Sequence, residues 1–245
     1  MLDKIPYCFT KSDVISHFDN KQRFDTWIKS NIKNGLIKRV RNGLYVSIDS
    51  MGNTNVRKFE IATKISSRSF VCYHSALEYY GYANQVYNNI TIGIDKRFNS
   101  FEFDGVEYTF KVIKNNEQVN FFVNENIRVT SLERTIIDCI DNITLAGGIE
   151  EVLNALEQIK VLNEKKLLKV LNSYNKVLLY QKVGFLLEQY KDELGLSNEF
   201  FESCQRKLTN QTKYFLQDDY KEIEYNSKWK LMAPKNIKSR INGGF

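Results

Sequence analysis

Between Lys21 and Lys33 the apolar residues Phe24, Trp27, Ile28 and Ile32 fall on one stripe of a 3.6-residue period, which predicts an amphipathic helix. Asp19-Asn20 precedes it as breaker and cap, and Gly35 follows as a stop. Upstream, Thr10-Lys11-Ser12-Asp13 has the spacing of a capping box, with Val14, Ile15 and Phe18 as the apolar face of a short first helix. Downstream the period changes to strand-like runs. Leu36–Arg41 and Leu44–Ile48 flank Asn42-Gly43, a pair that tolerates the two positive φ values of a two-residue hairpin turn. A polar breaker at 49–53 leads into a further helix over about 55–65. The head therefore reads as helix, turn, helix, hairpin.

Past residue 70 the pattern predicts a short strand and a helix in SFVCYHSALEYYGY, ended by Gly81. Strand signals follow: 90–94, a hairpin over 101–113 about Asp104-Gly105, and another over 121–129. Thr130-Ser131-Leu132-Glu133 reads as a second capping box, opening a helix with Leu132, Ile136, Ile137 and Ile140 inward. After Gly147-Gly148 come three helical segments, IEEVLNALEQI, NEKKLLKVLNSY and a long one over 177–194. FFESCQRKL reads as helix, and TKYFL and EIEYN as strands. The fold class is α+β: an N-terminal winged helix-turn-helix over 1–70, then a larger mixed domain over 71–245 with a mainly antiparallel sheet and a set of helices. The tail 226–245 reads either as an added phosphate contact or as a solvated end.

Charge sharpens this division. Residues 1–70 hold 13 Lys/Arg against 6 Asp/Glu, residues 71–225 hold 17 against 23, and residues 226–245 hold 5 against none. A basic head and tail around an acidic body point to a polyanion meeting part of the molecule. No apolar run approaches a membrane span, and MLDKIPYCFTKSD has no apolar signal region. The four cysteines, Cys8, Cys72, Cys139 and Cys204, lack CxxC spacing, so reduced thiols in a cytoplasmic protein are expected.

Catalytic chemistry is poorly represented. His17 and His74 are the only histidines, too few for most His-based zinc sites or a hydrolase triad, and neither phosphate-loop motif is present. His74 reads as structural. The carboxylate pairs Glu150-Glu151, Asp192-Glu193 and Asp218-Asp219 read as solvated helix faces or turns. Asp95, Lys96 and Glu102 make an unconvincing nuclease set. No enzyme, metal or cofactor is expected.

Opposite the apolar stripe of the second helix lie Gln22, Thr26, Lys29, Ser30 and Lys33, with Lys21 and Arg23 at its start and one acid, Asp25, at the margin. Long cationic and amide side chains suit phosphates and base edges in a major groove. The hairpin that follows carries Lys38, Arg39, Arg41 and Asn42 where a wing would lie. Each part is common alone, but the ordered set within fifty residues predicts double-stranded DNA binding.

Four stretches carry a resemblance: GLIKRVRNGLYV (35–46), YHSALEYYGY (73–82), VTSLERTIIDCIDNITLAGGIEEVLNAL (129–156) and QKVGFLLE (181–188). The sequence resembles the AbiEi antitoxins of type IV toxin–antitoxin systems, which act in abortive infection, a form of phage defence. The resemblance implies a winged helix that binds inverted repeats in its own promoter and represses transcription. It also implies a C-terminal domain that counters a nucleotidyltransferase-like toxin without a stable complex. The DNA contacts then map to the helix from Lys21 and to Lys38, Arg39 and Arg41. In the body, Leu132, Ile136, Ile137, Val152, Leu153 and Leu156 read as core, and Arg134 with Asp138 as an i,i+4 pair on a helix face. The alternative is a winged-helix regulator without a toxin, whose body senses a ligand or protein.

Overall fold

The computed structural model describes residues 5–49, 51–54, 56–113, 119–122, 126–216 and 222–240, an α+β arrangement of two compact units. The first unit comprises residues 1–71, 88–114 and 121–128, and the second comprises 72–87, 115–120 and 129–245. The first crossing falls at Val71/Cys72, beside the boundary read from the sequence. The strands of 88–114, assigned there to the body, group with the head.

In the first unit, β1 (Cys8–Thr10) leads into α1 (Lys11–Val14), a 3-10 turn (Ile15–His17) and α2 (Lys21–Lys33). The Asp13 carboxylate accepts from the Thr10 amide at 2.7 Å, the reciprocal half of the expected capping box. Asn20 caps α2, its Oδ1 accepting from the Arg23 amide at 2.9 Å. At the other end Gly35 takes φ +72° and the Leu36 amide reaches back to the Asn31 carbonyl at 2.9 Å, closing the last turn of the helix. The predicted stripe faces inward: Phe24 and Ile28 join Ile5, Phe9, Val14, Ile37 and Tyr45 in one cluster, with Trp27, Ile32, Ile15 and Phe18 packed against it. Burying each large side chain there contributes about 1.5–3 kcal/mol.

The hairpin β2 (Ile37–Arg41) and β3 (Leu44–Ser47) forms a three-stranded sheet in the order β1-β3-β2. Its turn differs from expectation, because only Gly43 has positive φ (+80°) while Asn42 does not. A bulge between Arg39 and Arg41 supplies the local twist instead. By contrast, Asp104-Gly105 takes positive φ at both residues.

After α3 (Lys58–Lys64) comes a six-stranded sheet. Its strands are β4 (Phe70–Val71), β5 (Asn89–Ile94), β6 (Phe101–Phe103), β7 (Val106–Val112), β8 (Val119–Phe122) and β9 (Ile127–Thr130), in the order β6-β7-β5-β4-β9-β8. β5 pairs with β7 in parallel, an exception to the antiparallel expectation, while β4–β5 and β6–β7 are antiparallel. The expected 121–129 hairpin includes residues 123–125, outside the described residues. The chain passes between the units within β9.

The second unit contains α4 (His74–Tyr80), α5 (Leu132–Asp141), α6 (Ile149–Gln158), α7 (Glu164–Tyr174), α8 (Val177–Glu188) and α9 (Asn198–Gln205). The long helix expected over 177–194 ends at Glu188 and continues as turns. Ser131, not Thr130, caps α5, accepting from the Arg134 amide at 3.3 Å. Thr130 pairs with the Thr135 hydroxyl at 2.7 Å.

The basic tail is not a solvated end as far as it is described. β10 (Lys213–Tyr214), β11 (Ile223–Asn226) and β12 (Leu231–Pro234) form a sheet with β12 in the centre. QKVGFLLE supplies its dock on α8. Gln181 Nε2 donates to the Gln211 and Lys230 carbonyls at 3.2 and 3.0 Å, and Glu188 accepts from Trp229 Nε1 at 2.8 Å. Trp229, fully buried, packs against Gly184, where an added Cβ would come within 2.1 Å of the ring. Asp218, Asp219 and residues 241–245 lie outside the described residues.

Candidate nucleic-acid interface

Because α2 turns Phe24 and Ile28 into the core, helical geometry puts Gln22, Thr26, Lys29, Ser30 and Lys33 along the opposite stripe. All five are exposed, as are Lys21 and Arg23. Asp25 is half-buried and held by Lys11 at 3.4 Å, which withdraws the one acid at the margin. Arg23 pairs with Asp19 across one helical turn. Among the described residues the side chains of Lys21, Gln22, Thr26, Lys29, Ser30 and Lys33 have no polar partner. A concave pocket of about 600 Å³, lined by His17, Phe18, Asp19, Asn20, Gln22, Arg23, Thr26 and Trp27, opens where the turn meets α2.

The four hairpin residues separate by environment. Arg39 is exposed and lies across the ladder from the Tyr45 ring, 5.9 Å from its centroid. Asn42 is exposed at the turn. Lys38 is exposed but pairs with Asp104 at 3.4 Å, and Thr54 Oγ1 lies 3.4 Å from the other oxygen of the same carboxylate. Arg41 is half-buried, its guanidinium 5.1 and 5.2 Å from the Phe98 and Phe101 rings, with Nη1 buried and unpaired. Lys38 and Arg41 therefore fasten the hairpin to the β6–β7 region of its own unit. No signal in the local sequence distinguishes them from Arg39.

The second unit holds two buried polar groups. Arg134 and Asp138 form the expected i,i+4 pair, with Nε to Oδ2 at 3.3 Å, and both are 1–2% exposed, inside the protein. Tyr174 donates to the other Asp138 oxygen at 2.5 Å. Burial pushes the Asp138 carboxyl up to about 6 against the pull of Arg134 and Tyr174. Glu151, expected on a solvated face, is buried beside His74, 3.2 Å from Nε2, and accepts from the Asn84 amide at 3.0 Å, with Tyr87 against the imidazole. Glu150 is exposed, as are Asp192 and Glu193. The interactions of Glu151 join residues 67 and 77 positions apart, which no local pattern shows.

All four cysteines are free and buried, and burial pushes the Cys8 and Cys204 thiols up to about 12 and raises that of Cys139. Thiols so protonated are poor nucleophiles and metal ligands. Asp95 is paired with Arg68. Among the described residues no group of three or more His, Cys, Asp or Glu side chains is placed to hold a metal. No described helix is long and apolar enough to cross a membrane.

No protein-family model matches the chain, and no curated protein matches it. Among solved structures it is similar to the crystal structure of the RV2827C protein from Mycobacterium tuberculosis. That match has a TM-score of 0.70 at 14% identity and covers 99% of this chain and 92% of that one. At this identity the likeness speaks for the α+β fold alone.

Proposed function

We propose that the chain is a DNA-binding transcriptional autorepressor and the antitoxin of a type IV system. In this reading the head is a winged helix: α2 is the recognition helix and β2–β3 the wing. The observation that carries it is the outer stripe of α2, where cationic, amide and hydroxyl side chains stand unpaired among the described residues and the marginal acid is drawn off by Lys11. Lys and Arg there neutralise phosphates, and Gln22 is suited to a bidentate pair with adenine. The wing contributes Arg39 and Asn42, while Lys38 and Arg41 hold it in place. Arg23 reaches phosphate only by leaving Asp19.

Gel-shift titration on the DNA upstream of the chain's own gene tests this reading. Sequence-selective binding that weakens steeply with salt is expected, because bound phosphates release counterions. Binding indifferent to salt and sequence contradicts it. The antitoxin part and the inverted-repeat operator rest on the resemblance of 129–156 and the other three stretches, and the cytoplasmic location on the reduced thiols expected of cysteines without CxxC spacing. Co-expression with a neighbouring nucleotidyltransferase-like gene tests the antitoxin part by growth rescue. A toxin that stays lethal leaves a DNA-binding regulator without a toxin partner.

A further inference from the structure

The basic hairpin of the first unit has a basic neighbour outside it. Residues 95–100, between β5 and β6, read Asp-Lys-Arg-Phe-Asn-Ser. Phe98 folds back onto the sheet, its ring stacked on that of Phe110 at 5.4 Å. Two cations meet the Phe98 ring. The Arg41 guanidinium of β2 lies 5.1 Å from its centroid, and Lys96 Nζ lies 5.5 Å from it. Arg41 is also 5.2 Å from the Phe101 ring, which stacks on Tyr108 at 4.7 Å. Phe98 and Arg41 thus tie this loop to the end of β2, and Lys96 and Arg97 come with it.

The acids nearby are already engaged or face elsewhere. Asp95 pairs with Arg68 at 2.5 Å, and Asp104 pairs with Lys38 at 3.4 Å. The β6–β7 register sets Phe101 opposite Tyr108 and Glu102 opposite Glu107. Two-residue alternation therefore sends both glutamates to the face away from the rings. Lys96 and Arg97 are exposed, and among the described residues neither has an ion pair. Unpaired cations on a loop suit a phosphate backbone, whose contacts fix position without reading sequence. On the reading of the head as DNA-binding, we propose that Lys96 and Arg97 form a second backbone contact. They take duplex phosphates beside those reached by Arg39, so the footprint runs past the hairpin onto the β5–β6 loop. The pair supplies affinity and salt dependence, while base choice stays with α2.

Gel-shift titrations of the full chain over a range of salt, on the upstream DNA and on an unrelated duplex of equal length, test the proposal. Lys96→Ala with Arg97→Ala should lower the salt slope by about 1.8 for two lost phosphate contacts, and Arg97→Ala alone by about 0.9. The double variant should weaken binding to both duplexes by one common factor, roughly tenfold or more, so that their ratio holds. Lys111→Ala removes an exposed lysine from the glutamate face of β7 and should keep the wild-type slope. A double variant with the wild-type slope, on DNA that the wild type binds selectively, overturns this inference and leaves the α2 reading standing. So does a Lys111→Ala slope that falls as far as that of Arg97→Ala, because any lost charge would then suffice. A wild type that binds neither duplex overturns both readings.

Discussion

Gly184→Ala gives the sharpest energetic test of how the C-terminal sheet is held. On helix propensity alone the change stabilises, since alanine in a helix interior is worth about 1 kcal/mol over glycine. Packing opposes it. The new Cβ would lie 2.1, 2.3 and 2.5 Å from three atoms of the Trp229 ring. That ring cannot retreat freely, because it is fully buried and its Nε1–H is held by Glu188 at 2.8 Å. Overpacking of this kind costs about 1–3 kcal/mol, and full expulsion of the indole costs about 3–5 kcal/mol. With a ring that cannot retreat the overpacking cost sits at the upper end, about 3 kcal/mol, so after the propensity gain the expected net loss is about 2 kcal/mol, or roughly 4–8 °C in melting temperature for a chain of this size. Thermal unfolding by circular dichroism, with urea titration followed by tryptophan fluorescence, reads the change. Adding Trp229→Phe should recover part of the loss, giving a coupling of at least about 0.5 kcal/mol in a double-mutant cycle. A Gly184→Ala variant as stable as wild type or more so would refute the packing of Trp229 on α8.

Four further outcomes follow from the charges and thiols. Arg39→Ala should weaken DNA binding and lower the salt slope by about 0.9 for one lost phosphate contact, with stability unchanged within about 0.5 kcal/mol. Arg41→Ala should loosen the β2–β3 hairpin, seen as faster amide exchange in 37–47, and equal exchange in the Arg39 and Arg41 variants would argue against the anchoring role. Asp138 has a folded pKa raised above its unfolded value, so the folded state binds the extra proton and stability falls as pH rises from about 4 to 6. Asp138→Asn should lack that slope, and parallel pH profiles would contradict the assignment. The buried thiols should react with a disulfide reagent only at the rate of unfolding.

The parts of the fold legible in sequence are those written in local patterns. The α2 stripe, the Asn20 cap and the Gly35 stop emerge because apolar period and capping chemistry act over a few residues. The Asn42-Gly43 hairpin was also visible, but its turn geometry depends on a bulge that the pair itself does not encode. The grouping of 88–114 with the head, the burial of Arg134, Asp138 and Glu151, and the sheet built from the basic tail all arise from long-range packing. α5, for example, packs against α4, α7 and α8, so a charge pair that looks surface-like in one dimension ends inside. Likewise, Arg39 and Arg41 are equivalent as sequence and differ only because Phe98 and Phe101 come back beside one of them.

If the outer face of α2 reads DNA, Gln22→Ala must relax its choice of base. Binding of wild type and variant is measured on the upstream DNA and on single-base substitutions of the protected site. Wild type should prefer the native sequence, and the variant should lose about 1–3 kcal/mol of discrimination at one position while keeping its salt slope. An unchanged base preference, or the absence of sequence-selective binding by the wild type, would contradict it.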